Sequence, residues 1–131
     1  MPQLLATFSI DEWKEVDTWD APGEGPALGH TRVRKSFSGA VSGTSVAELQ
    51  TCKHSDEQAG YVATERLSVT IGERQGTFVI QHGAIVDRGT FTLFGHIVPG
   101  SGTGKLTGIT GTARFEHDEG GARLTLDYDL A

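Results

Sequence analysis

The chain holds one cysteine, one methionine and only four prolines. A single thiol, Cys52, cannot close an internal disulfide, so the fold is expected to stand without covalent staples; such usage suits a reducing cytoplasm. No apolar run approaches the roughly 20 residues of a helical membrane span. The opening MPQLLATFSIDEW has no basic region ahead of a long apolar stretch and meets acid at Asp11 and Glu12, which does not read as a signal peptide. Basic charge is scarce as well. Eleven Lys and Arg face 17 Asp and Glu, and the net charge of −6 argues against nucleic-acid and anionic-membrane partners.

Windows with helical periodicity are few. Glycine is abundant instead, at 18 of 131 residues, and apolar residues recur with a period of two. These features predict an all-β chain forming one domain over residues 1–131. Candidate strands run over Leu4–Ile10, Thr31–Ser38, Ser45–Lys53, Tyr61–Ile71, Thr77–Ala84, Thr90–Val98, Thr112–His117 and Arg123–Leu130. Gly-, Pro- and Asp-bearing words such as SGAVSG, GERQG, DRG and DEGG separate them. Eight short strands with tight connections favour an eight-stranded antiparallel barrel, a two-sheet sandwich being the alternative. The segment Asp11–Leu28, with Trp13 and Trp19, reads as a packed irregular loop, or else as a flap over a barrel mouth. In RVRK, Arg32 and Arg34 fall on one strand face and Lys35 on the other.

The stretch YVATERLSVTIGERQGTFVIQHGA is the most informative. Tyr61, Ala63, Leu67, Val69 and Ile71 share one parity, with Glu65 among them; Phe78 and Ile80 share parity with His82. A hairpin centred on Glu73–Arg74 sets Glu65 directly opposite His82, and Arg66 opposite Gln81 on the reverse face. A carboxylate and an imidazole at the end of an apolar stripe can share a proton, and desolvation pushes such a carboxylate toward neutrality. Parity does not say which face is inside, so Arg66 and Gln81 are the rival cavity pair.

Other constellations point away from chemistry. The five histidines lie on separate elements without ligand spacing, so no metal is expected. VPGSGTGKLTGITG looks like a phosphate-binding loop, yet Pro99 and Leu106 stand where that motif needs Gly and Ser or Thr. It reads as a sharp turn between the sixth and seventh strands, with Leu106 and Ile109 plugging the barrel end.

The words GPALGHTRVRKSFSGAVSGTS, AELQ, AGYVATERLSVTIGERQGTFVIQH, VPGSGTGKLTGITGTARF and LTLDYDL follow one another in this order. Together, from about Ala6 to Leu130, they resemble a bacterial family known as domain of unknown function 3224. QHGA is a small departure from its pattern, touching a turn. The resemblance implies an allene oxide cyclase-like barrel of the calycin and dirigent type, around an elongated cavity. It also implies a homodimer or higher homo-oligomer. Its recurrent polar positions are Lys35, Glu48, Glu65, Arg66, Gln81 and His82.

The combined expectation is a barrel that binds a small, largely apolar molecule without a cofactor. Glu65 and His82 are the candidate catalytic residues of a cyclase or isomerase; Lys35, Glu48, Arg66 and Gln81 are candidate ligand-binding residues. The alternatives are a non-catalytic carrier or sensor of a small lipophile, or a dimeric scaffold.

Overall fold

Two-residue alternation leaves the chain one economical way to bury its apolar side, a sheet curled onto itself. In the computed structural model, which describes residues 2–20 and 23–130, eight strands do this. They are β1 (Gln3–Asp20), β2 (Ala27–Gly39), β3 (Val41–Lys53), β4 (Gln58–Ile71), β5 (Arg74–Asp87), β6 (Thr90–Ile97), β7 (Thr110–Asp118) and β8 (Gly121–Asp129). Each pairs antiparallel with the next, and β8 pairs with β1 to close the barrel. Among the described residues no helix is long and apolar enough to cross a membrane.

One half of the barrel is solid. Leu67, Phe78, Ile80, Ile97, Leu124 and Leu126 fill it, and Leu106 and Ile109 close its end, all of them fully or almost fully buried. The glycine-rich connection is not the sharp turn expected. It runs alongside β5, with Val98 N–H bonded to Val79 O and Thr103 N–H to Thr77 O, before a single 3-10 turn at Gly104–Leu106. Gly76 is required there, since an added Cβ would stand 2.1 Å from the Thr103 carbonyl oxygen.

The other half is open. The β1–β8 ladder covers only Gln3–Thr7, so the rest of β1 leans away with β2 alone. Three register shifts, between Ile10 and Glu12, Glu15 and Asp17, and Thr18 and Asp20, bend it outward. Asp11–Leu28 is therefore not a packed loop. Strand continues to Asp20 and resumes at Ala27, and Trp13 and Trp19 are both 56% exposed; Pro22 lies outside the described residues. A second opening lies between β6 and β7, whose ladder consists of His96–Thr112 and Ile97–Gly111.

The β4–β5 hairpin differs from expectation by two residues. Ile71 pairs with Arg74 around a two-residue turn, so Glu65 faces Ile80, and His82 faces Ala63. Gly72 takes φ +63 at the first turn position, a conformation glycine adopts cheaply and tight hairpins demand. A two-residue slip preserves every side chain's face, which is why alternation alone could not detect it.

Candidate functional site

Alternation along β2 sends Val33, Lys35 and Phe37 inward, and along β4 it sends Ala63, Glu65 and Leu67 inward. The face carrying Glu65 and His82 is thus the interior. Small neighbours make room for them: Ala47 lies opposite Glu65, Ala63 opposite His82, and Ser45 opposite Lys35.

Glu65 is wholly buried, and three donors converge on it. Its Oε1 accepts from Lys35 Nζ at 2.9 Å and from His82 Nε2 at 2.8 Å; Oε2 accepts from Ser45 Oγ at 2.6 Å. A carboxylate can only accept, so Nε2 bears hydrogen, and Nδ1 lies 3.1 Å from the Tyr61 hydroxyl, which donates to it wherever Nδ1 carries no hydrogen. Aromatic rings complete the shell. Lys35 Nζ lies 4.1 Å from the Phe115 ring centre and 4.8 Å from that of Phe8. The His82 ring packs against Phe115 at 4.3 Å. Among the described residues, every buried side-chain nitrogen and oxygen has a partner.

Burial pushes the Glu65 carboxyl up, but the His82 hydrogen bond, the Lys35 charge and the Ser45 hydroxyl together hold it below its ordinary value. The expected drift toward neutrality is overturned. Tyr61 moves the other way: burial, followed by the negative charge of Glu65, raises its phenol to about 12.

Above this cluster, at the open end, lies a cavity of about 150 Å³. Phe8, Ile10, Trp13, Leu49 and Phe115 line it, and Lys35, Tyr61 and His82 form its polar end, with Glu116 and His117 also on its wall. Glu65 stands behind them and does not reach it. A larger cleft of about 840 Å³ at the closed end, beside Ile71 and Lys105, holds none of the buried ionisable groups. Of the buried ionisable groups, Lys35 and His82 border the smaller space. The elongated cavity expected from resemblance is shortened to this chamber, because packed side chains occupy the other half.

Of the six residues singled out in the sequence, Lys35, Glu65 and His82 meet in the interior. The other three are elsewhere. Arg66 and Gln81 are exposed on the outer face, opposite Val79 and Thr64 rather than each other. Glu48 also lies outside, held by His30 at 2.6 Å and Arg32 at 2.7 Å. Each has the parity opposite to that of its strand's buried residues, so none reaches the chamber. Sequence reasoning missed Ser45, Phe8 and Phe115, and saw Tyr61 only as part of a stripe. The available signal was Lys35 itself: a lysine between inward Val33 and Phe37 requires a buried carboxylate partner.

A closed eight-stranded antiparallel barrel with a four-residue polar chain at one end defines the class of structure. The chain belongs to the family described as "Protein of unknown function (DUF3224)", whose model matches residues 4–130. It is similar to the crystal structure of a protein of unknown function from that family, from Shewanella oneidensis MR-1. The two are 28% identical, with a TM-score of 0.91 over 100% of this chain and 98% of the other. No curated protein matches the chain.

Proposed function

We propose that the open half of the barrel binds a small molecule with an apolar body and one oxygen able to accept hydrogen bonds. Its body lies against Phe8, Trp13, Leu49 and Phe115, and its oxygen takes a hydrogen bond from Lys35, which spends one of three donors on Glu65. The carrying observation is the chain Lys35–Glu65–His82–Tyr61, which begins and ends on the cavity wall. Apolar residues of similar volume would hold a core as well, so retention of two charges and an imidazole at a cavity speaks for use.

Such a chain can isomerise an enolisable carbonyl compound. The ligand's C–H proton passes to the Tyr61 oxygen as the phenolic proton passes to His82 Nδ1. The imidazolium formed is held at Nε2 by Glu65, and the enolate oxygen by Lys35. Reversal onto another carbon returns every proton, leaving an isomer and no net proton change. Glu65 is then a positioning residue, while Tyr61 and Lys35 touch the ligand. One observation favours binding without turnover: Glu65 is held ionised by three donors, as a fixed charge rather than as an exchanging acid.

Titration of the labelled protein with a β,γ-unsaturated cyclohexenone, followed by NMR, tests both readings. Shifts at Tyr61, His82 and Phe115 that Lys35→Met weakens support binding; appearance of the conjugated isomer, lost in Tyr61→Phe, supports turnover. Absence of shifts in the chamber, with cyclohexenone and with cyclic saturated ketones alike, defeats the proposal.

A further inference from the structure

The outside of the barrel is unevenly charged. β1 and β2 carry Asp11, Glu12, Lys14, Arg32 and Arg34, and β7 and β8 carry Arg114, Asp118, Arg123 and Asp127. The outward positions midway along β4, β5 and β6 are different: Val62, Thr64, Gln81, Gly83, Ile85 and Phe94 bear no charge. Val62, Ile85 and Phe94 are large apolar side chains about half exposed, at 53%, 58% and 47%.

Their arrangement has a centre. Val62 pairs with Gly83, and Gly83 with Phe94. The Phe94 ring lies across the glycine so closely that a Cβ there would stand 2.5 Å from its Cζ. Beside the ring is a hollow of about 370 Å³ bordered by Val62, Thr64 and Gln81, with Glu48, already engaged by His30 and Arg32, at its rim. Ile85 stands on the opposite side of Val62–Gly83 from Thr64 and Gln81. Charge returns at the two ends. Arg66, opposite Val79, lies four residues beyond Val62, and Asp87, opposite Gln58, lies four residues beyond Gly83 in the other direction.

We infer that this face joins two copies of the chain about a twofold axis crossing the β4–β5 ladder at Val62–Gly83, perpendicular to the strands. That operation lays Val62 and Phe94 against their own copies and seats Ile85 in the hollow of the second copy. It also sets Arg66 beside the partner's Asp87, twice over. Knob with hollow and cation with anion, each balanced about one point, is the self-complementarity a twofold interface requires and another partner does not. Depletion of charge around apolar and aromatic groups is the composition of an interface centre. A net charge of −6 opposes self-association at the charged faces and does not oppose it at this uncharged one.

Sedimentation of the full chain tests the inference. Wild type is expected at twice 14.0 kDa, and Ile85→Glu at the monomer mass with an unchanged far-ultraviolet circular dichroism spectrum. Arg66→Glu alone weakens association by about tenfold or more through like-charge contact, and Arg66→Glu with Asp87→Arg recovers most of that loss. A monomeric or trimeric wild type overturns the inference, as does a dimer indifferent to Ile85→Glu. If the double exchange recovers nothing, this placement of the axis is wrong. Ligand binding in the chamber is a separate matter, because none of these side chains lines it.

Discussion

Lys35 and Glu65, 30 residues apart, form a 2.9 Å ion pair around a carboxylate with no exposure to solvent. Taking two charges out of water is costly, and removing one partner leaves the other unpaired. Lys35→Met is therefore expected to destabilise the barrel by about 3–5 kcal/mol. Adding Glu65→Leu is expected to recover much of the loss, since no lone charge remains. Urea denaturation of the two single variants and the double variant measures the coupling. Additive losses would show that the pair is not a unit.

The acid side of the stability profile carries a second signature. The folded protein holds Glu65 below its ordinary value of 4.5, so the unfolded chain takes up this proton first as pH falls. The contribution of Glu65 is complete above that ordinary value and is lost as pH falls through the lowered, folded one. The stability gap between wild type and Glu65→Gln is thus expected to narrow on acidification from about pH 7 to about pH 3. Asp118, held at about 2 chiefly by its Arg123 hydrogen bond, adds a slope of the same sign from the surface, and Asp118→Asn serves as the control. A gap that stays constant with pH would mean Glu65 titrates alike in both states.

Much of the barrel was legible because its signal is local. Alternation and glycine punctuation suffice for eight antiparallel strands and for the shared face of Glu65 and His82. What failed depended on geometry across strands. The hairpin slip was invisible because a shift of two residues leaves Glu65 and His82 inward, and diagonal neighbours still reach each other at 2.8 Å. Lys35 was readable as inward, but its partner 30 residues later depends on barrel curvature. β1 was cut short at Ile10 because its bulges break the alternation that a strand shows when both neighbours hold it flat. Glu48, Arg66 and Gln81 shared recurrent words with the interior residues, and recurrence carries no information about face.

Tyr61 and His82 yield a prediction on the alkaline side. Two tyrosines are present, and Tyr61 is raised to about 12 by burial and by the charge of Glu65. A spectrophotometric titration should contain a late step near that value, absent from Tyr61→Phe. Because the raised value belongs to the folded state, stability is full below the ordinary phenol range and falls as pH rises from about 10 toward about 12. The variant also leaves Nδ1 of buried His82 without its 3.1 Å partner, at a cost of about 1–3 kcal/mol. Nitrogen NMR of the imidazole should report hydrogen on Nε2 in both proteins. Hydrogen on Nδ1 in the wild type would break the proposed order of donors.

The seam between β6 and β7 is the weakest part of the ring by construction. Two residue pairs join these strands, whereas the β4–β5 ladder runs unbroken from Gln58–Asp87 to Ile71–Arg74. Amides of β7 beyond Thr112 that face the seam have no ladder partner there, so hydrogen exchange should be faster for them than for Leu67, Val69, Phe78 and Ile80. The strands nonetheless touch closely at one point. A Cβ on Gly95 would stand 2.3 Å from the Ala113 carbonyl oxygen, and backbone cannot yield as a side chain does. Gly95→Ala is therefore expected to cost about 1–3 kcal/mol, the usual range for overpacking, and to quicken exchange at His96 and Thr112. Gly23→Ala, where a Cβ meets nothing within 4 Å and φ is not left-handed, lacks this steric clash and serves as the control. Equal exchange at His96 in wild type and Gly95→Ala would show that the contact does not hold the seam.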